Sequence, residues 1–383
     1  MKQLVTFTPD NRYFFGDSHG YEDSYIISSK LIPPISTVFG TLRKSILVQN
    51  GALELFRNSS GEIIEKAKND DPLEIQTEIG DFDYNVNPNG NLGKLNSVSP
   101  LFIKRISDGM CFYPIPINWQ IDGKHVVRRS ITLKKGLINN FNGSKSADFY
   151  QLDGYSAKLE ISNIWVDMNN WCDLVRGSCP QYPIGNDCLI DNDIFVNHKH
   201  PGIGRNISQE NSRRSFTQSV SDQSFFQKED YSFKDAAFCF AMIVDVEGCS
   251  LKDSGVFMGG DRSFFIMKAT EYNNSFSNEL IKNLLSPKSC LEKDGKYVVL
   301  SEINICSTSD KAWYCLNGGN LNKQRRLVLS KYQKQSDGSP FRMRLKGAVT
   351  RSIPIGSIII TTSEIQLKPG FNQNAGFDRL IKL

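Results

Sequence analysis

The segment Asn197–Arg214, NHKHPGIGRNISQENSRR, constrains this chain more than any other stretch, because it divides the sequence into two halves that each read as a compact α/β unit. Pro201, Gly202 and Gly204 open its backbone, and the Ser/Gln-rich continuation SQENSRRSFTQSVSDQS (208–224) has no apolar periodicity that would bury it. It gathers His198 and His200, two of the four histidines of the chain, with Lys199, Arg205, Arg213 and Arg214. Glycines that let a ligand approach main-chain N–H groups, set among cations, suit an extended polyanion. The same composition also suits a solvated surface loop.

The 383 residues allow two domains, each with its own core. Apolar residues make up 39% and charged residues 22%, as in an ordinary globular protein, and no run approaches the about 18 apolar residues that span a membrane. The start, MKQLVTFTPDNRYFF, has no apolar core followed by a small-residue cleavage site, so a cytoplasmic protein is expected. Its nine scattered cysteines then read as reduced thiols. Cys172, Cys179 and Cys188, followed by His198 or His200, are spaced well beyond the about two to four residues of a zinc knuckle, so neither a metal nor a cofactor is expected. A net charge of +4 is modest, and nucleic-acid binding would have to come from local patches.

Taken in order, Leu4–Phe7 and Arg12–Phe15 are short β-type runs, and FGDSHGYEDS (15–24) is a polar loop carrying His19 near Asp17, Glu22 and Asp23. After Pro33 and Pro34, Ser36 is placed as an N-cap, and Val38, Leu42, Ile46 and Leu47 recur at helical spacing. Gly40 would let this helix approach a sheet, while Arg43 and Lys44 would point to solvent or to an RNA backbone. LFIKRISDGMCFYPIPI (101–117) predicts a hairpin about Ser107–Gly109, and Trp119, Trp165 and Trp171 would anchor cores or a subunit contact. Gly202–Ile207 and Phe225–Phe233 could pair as a long hairpin, after which the apolar run Ala236–Val246 reads as a buried strand opening a second domain. Gly259 and Gly260 permit a tight turn that displays Arg262 ahead of Phe264 and Phe265, both expected to serve the fold. A helix over 278–285, a strand over 297–305 and the basic tract 321–334 follow.

Four blocks in this order, IPPISTVFGTLRKSIL (32–47), PGIGRN (201–206), VFMGGDRSFF (256–265) and SIPIGSIII (352–360), resemble the group-5 RAMP subunit of type III-B CRISPR effector complexes, the third subunit of the Cmr assembly. The resemblance implies an α+β protein of two tandem ferredoxin-like, RRM-like RAMP domains with a protruding β-hairpin thumb. Its parts would be 1–196, the RNA-contacting hairpin 197–235, and 236–383. Pro33, Pro34, Ser36, Gly40 and Arg43 match the first helix of the ferredoxin-like fold. The implied role is a non-catalytic subunit at the foot of the complex, which binds the 5′ handle of the CRISPR RNA and docks the large polymerase-like subunit and the backbone RAMP subunits, with no membrane partner.

The RNA contacts implied are His19, Arg43, Lys199, His200, Gly202, Gly204, Arg205, Asn206, Arg213, Arg214, Gly259, Gly260 and Arg262. The chain departs from the family in carrying Arg205-Asn206 where arginine is followed by aspartate. Its C-terminal glycine-rich loop, a phosphate cradle in the family, is diluted to Gly370 and Gly376. Two alternatives stay open: an endoribonuclease using His19, or His198 with His200, as acid and base, and a structural subunit that does not touch RNA. The absence of an acidic pair arranged for two metals, of a P-loop and of an HD pair disfavours polymerase, cyclase and metal-nuclease activities.

Overall fold

The computed structural model describes residues 1–16, 26–57, 63–67, 77–80, 92–140, 143–152, 163–177, 179–203, 206–208, 217–219, 225–259, 263–273, 279–304, 313–316, 322–325, 331–334, 340–343, 349–366 and 374–383. The fold is α+β, with mostly antiparallel sheets and few helices. Among the described residues, no helix is long and apolar enough to cross a membrane.

A nine-stranded sheet organises the N-terminal part. Its strands run in the spatial order Cys188–Ile190, Ile164–Asp167, Cys111–Pro114, Phe102–Arg105, Phe238–Val246, Lys2–Pro9, Ser263–Glu271 and Ser254–Met258, with Leu95–Val98 also paired to Phe238–Val246. The apolar run Phe238–Val246 is buried along nearly its whole length because both of its faces are covered. On one face Phe240 and Met242 join Val5, Phe7, Phe265 and Met267 beneath Val38, Phe39, Leu42 and Ile46 of the long helix. On the other, Ala241 and Ile243 join Leu4 and Phe102 against Leu280, Leu284, Val298, Leu300 and Ile381 from the C-terminal part.

That pairing moves the expected boundary at residue 236. Phe238–Val246 lies antiparallel to the N-terminal strand in the register Lys2↔Asp245 to Phe7↔Phe240, and Ser263–Glu271 flanks the other side of the same strand. The unit that begins at the N-terminus therefore continues at least to Glu271, since an all-apolar strand must find hydrogen-bonded neighbours on both edges. The hairpin expected near Ser107–Gly109 forms, with Phe102–Arg105 paired to Cys111–Pro114 and Gly109 at φ +78°. Trp119, Trp165 and Trp171 are all buried in cores.

The long helix spans Ile35–Gln49, and Pro34, not Ser36, stands at its N-cap. Pro34 has an extended backbone and no side-chain cap, so the start is set by its restricted φ and the helix is held chiefly by its buried face. Gly51 follows its C-terminus at φ +70°. Gly40 does not mediate close packing, since a Cβ there would meet nothing within 4 Å. Arg43 does not face solvent either: it is 2% exposed, and its guanidinium lies 5.2 Å from the Phe39 ring centroid. One turn of helix places the two side chains together and carries Arg43 under the packed face.

Beyond Glu279–Leu285, a second sheet runs in the order Trp313–Leu316, Ile358–Thr361, Lys296–Val299, Leu380–Lys382, with all pairs antiparallel. Its first strand lies between the third and the fourth, with the second outside the third, the interleaving of a βαββαβ unit. The N-terminal strand shows a related order, with the hairpin 254–271 on one side and Phe238–Val246 in the fourth-strand place although it precedes the hairpin in the chain.

Gly376 serves packing here. At φ +88° it brings the backbone so close to Ile35, Val98 and Ser99 that a Cβ would lie 2.8 Å from the Ile35 Cδ1 and 3.2 Å from two carbonyl oxygens. Gly370, the other glycine of the expected phosphate cradle, lies outside the described residues. Removing the ring at the centre of the covered sheet should cost stability: Phe240→Ala is expected to lower unfolding free energy by about 3–5 kcal/mol, measured by urea denaturation followed by circular dichroism.

Candidate nucleic-acid interface

A two-stranded ribbon leaves the core between Phe195–Ile203 and Phe225–Phe233, paired from Phe195↔Phe233 to Ile203↔Phe225. Nine residues of strand on each side extend about 30 Å. Further out, Asn206–Ser208 pairs with Thr217–Ser219. The long hairpin expected from the sequence thus exists, but it starts at Phe195, and Asn206 and Ile207 pair with 218–219 in place of the 225–233 strand.

The root of the ribbon is aromatic. Phe195 stacks on Phe233 at 5.4 Å between centroids, Phe233 meets Phe240 at 4.8 Å, and Tyr13 lies 5.4–6.4 Å from Phe15, Tyr231, Phe233, Phe240 and Phe265. Tyr13 also exchanges both backbone hydrogen bonds with Tyr231, and its hydroxyl donates to the Leu31 carbonyl at 2.9 Å. Burial pushes the Tyr13 phenol well above its ordinary pKa, so it stays protonated as a donor. A third, short strand, Ile26–Ile27, pairs parallel to Gln227–Lys228.

Alternation along the paired strands puts His198, His200, Lys228 and Asp230 on one face and Lys199 and Glu229 on the other. Arg12, from the segment beside the ribbon, brings Nη1 within 2.6 Å of the His200 Nε2, which the Asp230 carboxylate approaches at 3.2 Å. A guanidinium only donates, so the neutral ring that accepts from Arg12 presents no N–H to Asp230. His198 Nε2 is 2.9 Å from the Ser232 hydroxyl, and the two imidazoles stack at 6.4 Å. Burial, then the Arg12 charge, holds the His198 pKa below the ordinary histidine value.

Lys199 is 58% exposed and pairs with Glu229 at 3.3 Å. Exposed pairs of this kind contribute about 0–1 kcal/mol, so Lys199 can exchange its partner for a phosphate at little cost. The Lys228 ammonium sits 4.5 Å from the Phe14 ring centroid.

The glycine turn docks against this root. Gly259, at φ +79°, approaches so closely that a Cβ would lie 2.6 Å from the Phe14 carbonyl oxygen, and the Phe14 N–H donates to the Ser263 hydroxyl at 3.0 Å. The family-like block at 256–265 thus meets Arg12–Phe15 through Gly259 and Ser263, and the ribbon meets the same segment through His200, Lys228, Tyr231 and Phe233. Beside them, Phe257 and Phe264 form an outward-facing pair at 5.2 Å, 54% and 38% exposed. Gly255 makes room for the Phe264 ring, since a Cβ there would lie 2.6 Å from it. Phe265 serves the core as expected, whereas Phe264 belongs to the surface.

Of the residues singled out from the sequence, Lys199 and His200 lie on the ribbon, Gly202 and Asn206 are in its strands, and Gly259 is at its root. Arg43 is buried away from it. His19, Gly204, Arg205, Arg213, Arg214, Gly260 and Arg262 lie outside the described residues. Arg12, Phe14, Lys228 and Phe257 were not singled out. Setting the strand 225–233 in register against 195–203 would have placed Lys228 opposite His200. Among the described residues, no group of three or more His, Cys, Asp or Glu could hold a metal.

No family model matches the chain, and no curated protein matches it. Among solved structures it is similar to a chain of "Cryo-EM structure of the Type III-B Cmr-beta bound to cognate target RNA and AMPPnP, state 1", 14% identical, over 94% of this chain and 86% of that one, with a TM-score of 0.38. At that score the likeness does not establish a shared fold.

Because the folded ribbon depresses the His198 pKa, the unfolded chain binds more protons as pH falls through the ordinary histidine range. The stabilisation is therefore full above about pH 6.5 and is lost on acidification. A histidine NMR titration should place the His198 midpoint below the ordinary value, and Arg12→Ala should move it upward by removing a neighbouring positive charge.

Proposed function

We propose that this chain is a non-catalytic RNA-binding subunit of a type III-B CRISPR ribonucleoprotein, built on two ferredoxin-derived units. It engages the 5′ handle of the CRISPR RNA with its ribbon and docks the large polymerase-like subunit and the backbone subunits. The observation that carries this reading is the convergence at the ribbon root. Arg12 and Lys228 stand there beside the Gly259 turn and the exposed Phe257–Phe264 pair, the last three on the block 256–265 whose sequence resembles the RAMP family, while Lys199 lies on the other face of the ribbon. Single-stranded RNA is held in this way, by cations that track phosphates and by rings on which splayed bases stack.

The described ribbon carries Glu229 and Asp230 as well as its cations, so the isolated chain should bind RNA modestly and with strong salt dependence. The test is handle-RNA binding across a salt series. Replacing Arg12, Lys199 and Lys228 together with alanine should flatten the slope of log affinity against log salt by about 2, at roughly 0.7 per phosphate on a single strand. An unchanged slope and affinity would leave the ribbon a structural connector.

The paired histidines keep an endoribonuclease as the competing reading. The purified chain is expected to leave a labelled repeat RNA intact, and metal-independent cleavage abolished by His198→Ala or His200→Ala would replace the binding reading with catalysis.

A further inference from the structure

Two groups compete for one atom on the ribbon. The His200 Nε2 has the Arg12 Nη1 at 2.6 Å and the Asp230 Oδ1 at 3.2 Å. A guanidinium only donates, so Arg12 bonds that nitrogen while it keeps its lone pair. A carboxylate only accepts, so Asp230 bonds the same nitrogen while it carries a proton. The two bonds exclude each other, and the proton on one ring atom decides which of them forms. Among the described residues no carboxylate forms an ion pair with Arg12, whereas Asp230 has His200 as its ion-pair partner.

The contact is open to solvent, since the His200 side chain is 39% exposed and Arg12 is exposed as well. Among the described residues, the ribbon strands bring His198, Lys228 and Asp230 to this face, with the Ser232 hydroxyl, and the segment beside them brings Arg12. The strand Ile26–Ile27, paired with Gln227–Lys228, brings no charge, and Lys199 and Glu229 stand on the opposite face. His198 stacks on His200 at 6.4 Å, and burial, then Arg12, holds its pKa below the ordinary value, so it adds little charge near neutral pH.

Taking the ribbon to bind RNA, on which this rests, we propose that Arg12 and His200 form one phosphate site whose occupation takes up a proton. An RNA phosphate offers Arg12 charged oxygens in place of a neutral ring nitrogen, and a charged donor bonds a charged acceptor more strongly. Once Arg12 turns to the phosphate, the His200 Nε2 is left beside two anions, the phosphate and the Asp230 carboxylate, which favour the protonated ring. A proton from solvent binds Nε2, the new N–H donates to Asp230, and the imidazolium adds a second positive charge beside the phosphate. By linkage, acidification tightens RNA binding wherever binding takes up a proton.

The full chain and handle RNA test this by isothermal titration at about pH 7 in two buffers of different ionisation enthalpy, which reads the protons taken up per RNA bound. Fluorescence anisotropy from about pH 8 to about pH 6 gives the affinity across the histidine range. Net uptake is expected, with affinity about tenfold higher at the acidic end. His200→Gln leaves an amide that can meet both neighbours but takes no proton, and it should abolish the uptake and flatten the pH profile. Asp230→Asn should reduce the uptake as well, and it decides alone if circular dichroism shows that His200→Gln does not fold. Uptake that survives both substitutions, or that disappears only with His198→Gln, overturns the inference. RNA binding without net uptake overturns it while leaving the RNA-binding reading in place. No RNA binding at any pH removes that reading and the inference with it.

Discussion

The structure depends on the aromatic cluster around Tyr13. Its rings come from segments far apart in the chain: Tyr13 and Phe15, Phe195, Tyr231 and Phe233, Phe240, and Phe265. Each pair adds about 0.5–1.5 kcal/mol beyond the area it buries, and no single pair dominates. The cluster can close only when the N-terminal strand, the ribbon root, the central strand and the glycine hairpin are all in place. The direction in which the ribbon leaves the core is therefore set by the core itself, through the stacked Phe195–Phe233 pair and the Tyr13–Tyr231 hydrogen bonds.

Charge is arranged locally on a surface whose net charge is only +4. On the ribbon, cations stand beside carboxylates, and Glu229 offsets much of the Lys199 charge. Such a surface holds phosphate weakly and gives way to salt. The Phe257–Phe264 pair offers contact that screening does not touch, since base stacking depends on ring faces.

Local pattern made several elements legible. The alternation and turn residues of 101–117 announced a hairpin, and the apolar spacing of 38–47 announced a helix. Arg43 and Gly376 show where local reading stops. An arginine among helical apolar residues looks like a surface group, yet the helix turns it over Phe39 and into the packed face. A glycine in a diluted loop looks like a phosphate cradle, yet its positive φ and the nearness of Ile35, Val98 and Ser99 give it a packing reason. In both cases the deciding neighbour, or the face that covers the residue, comes from another part of the chain.

By itself the sequence determined a polar, glycine-opened centre, a continuous apolar run at 236–246, and blocks that resemble a RAMP subunit and through that resemblance imply an α+β fold. Only the tertiary structure decided that Phe238–Val246 pairs with Lys2–Pro9 and that Arg12 and Phe14 stand at the ribbon root. The physical reason is range. Side-chain periodicity acts over a few residues and sets which face of an element is apolar, while the choice of partner for that face is made by chain closure over two hundred residues or more, as in Tyr13 with Tyr231 and Lys2 with Asp245.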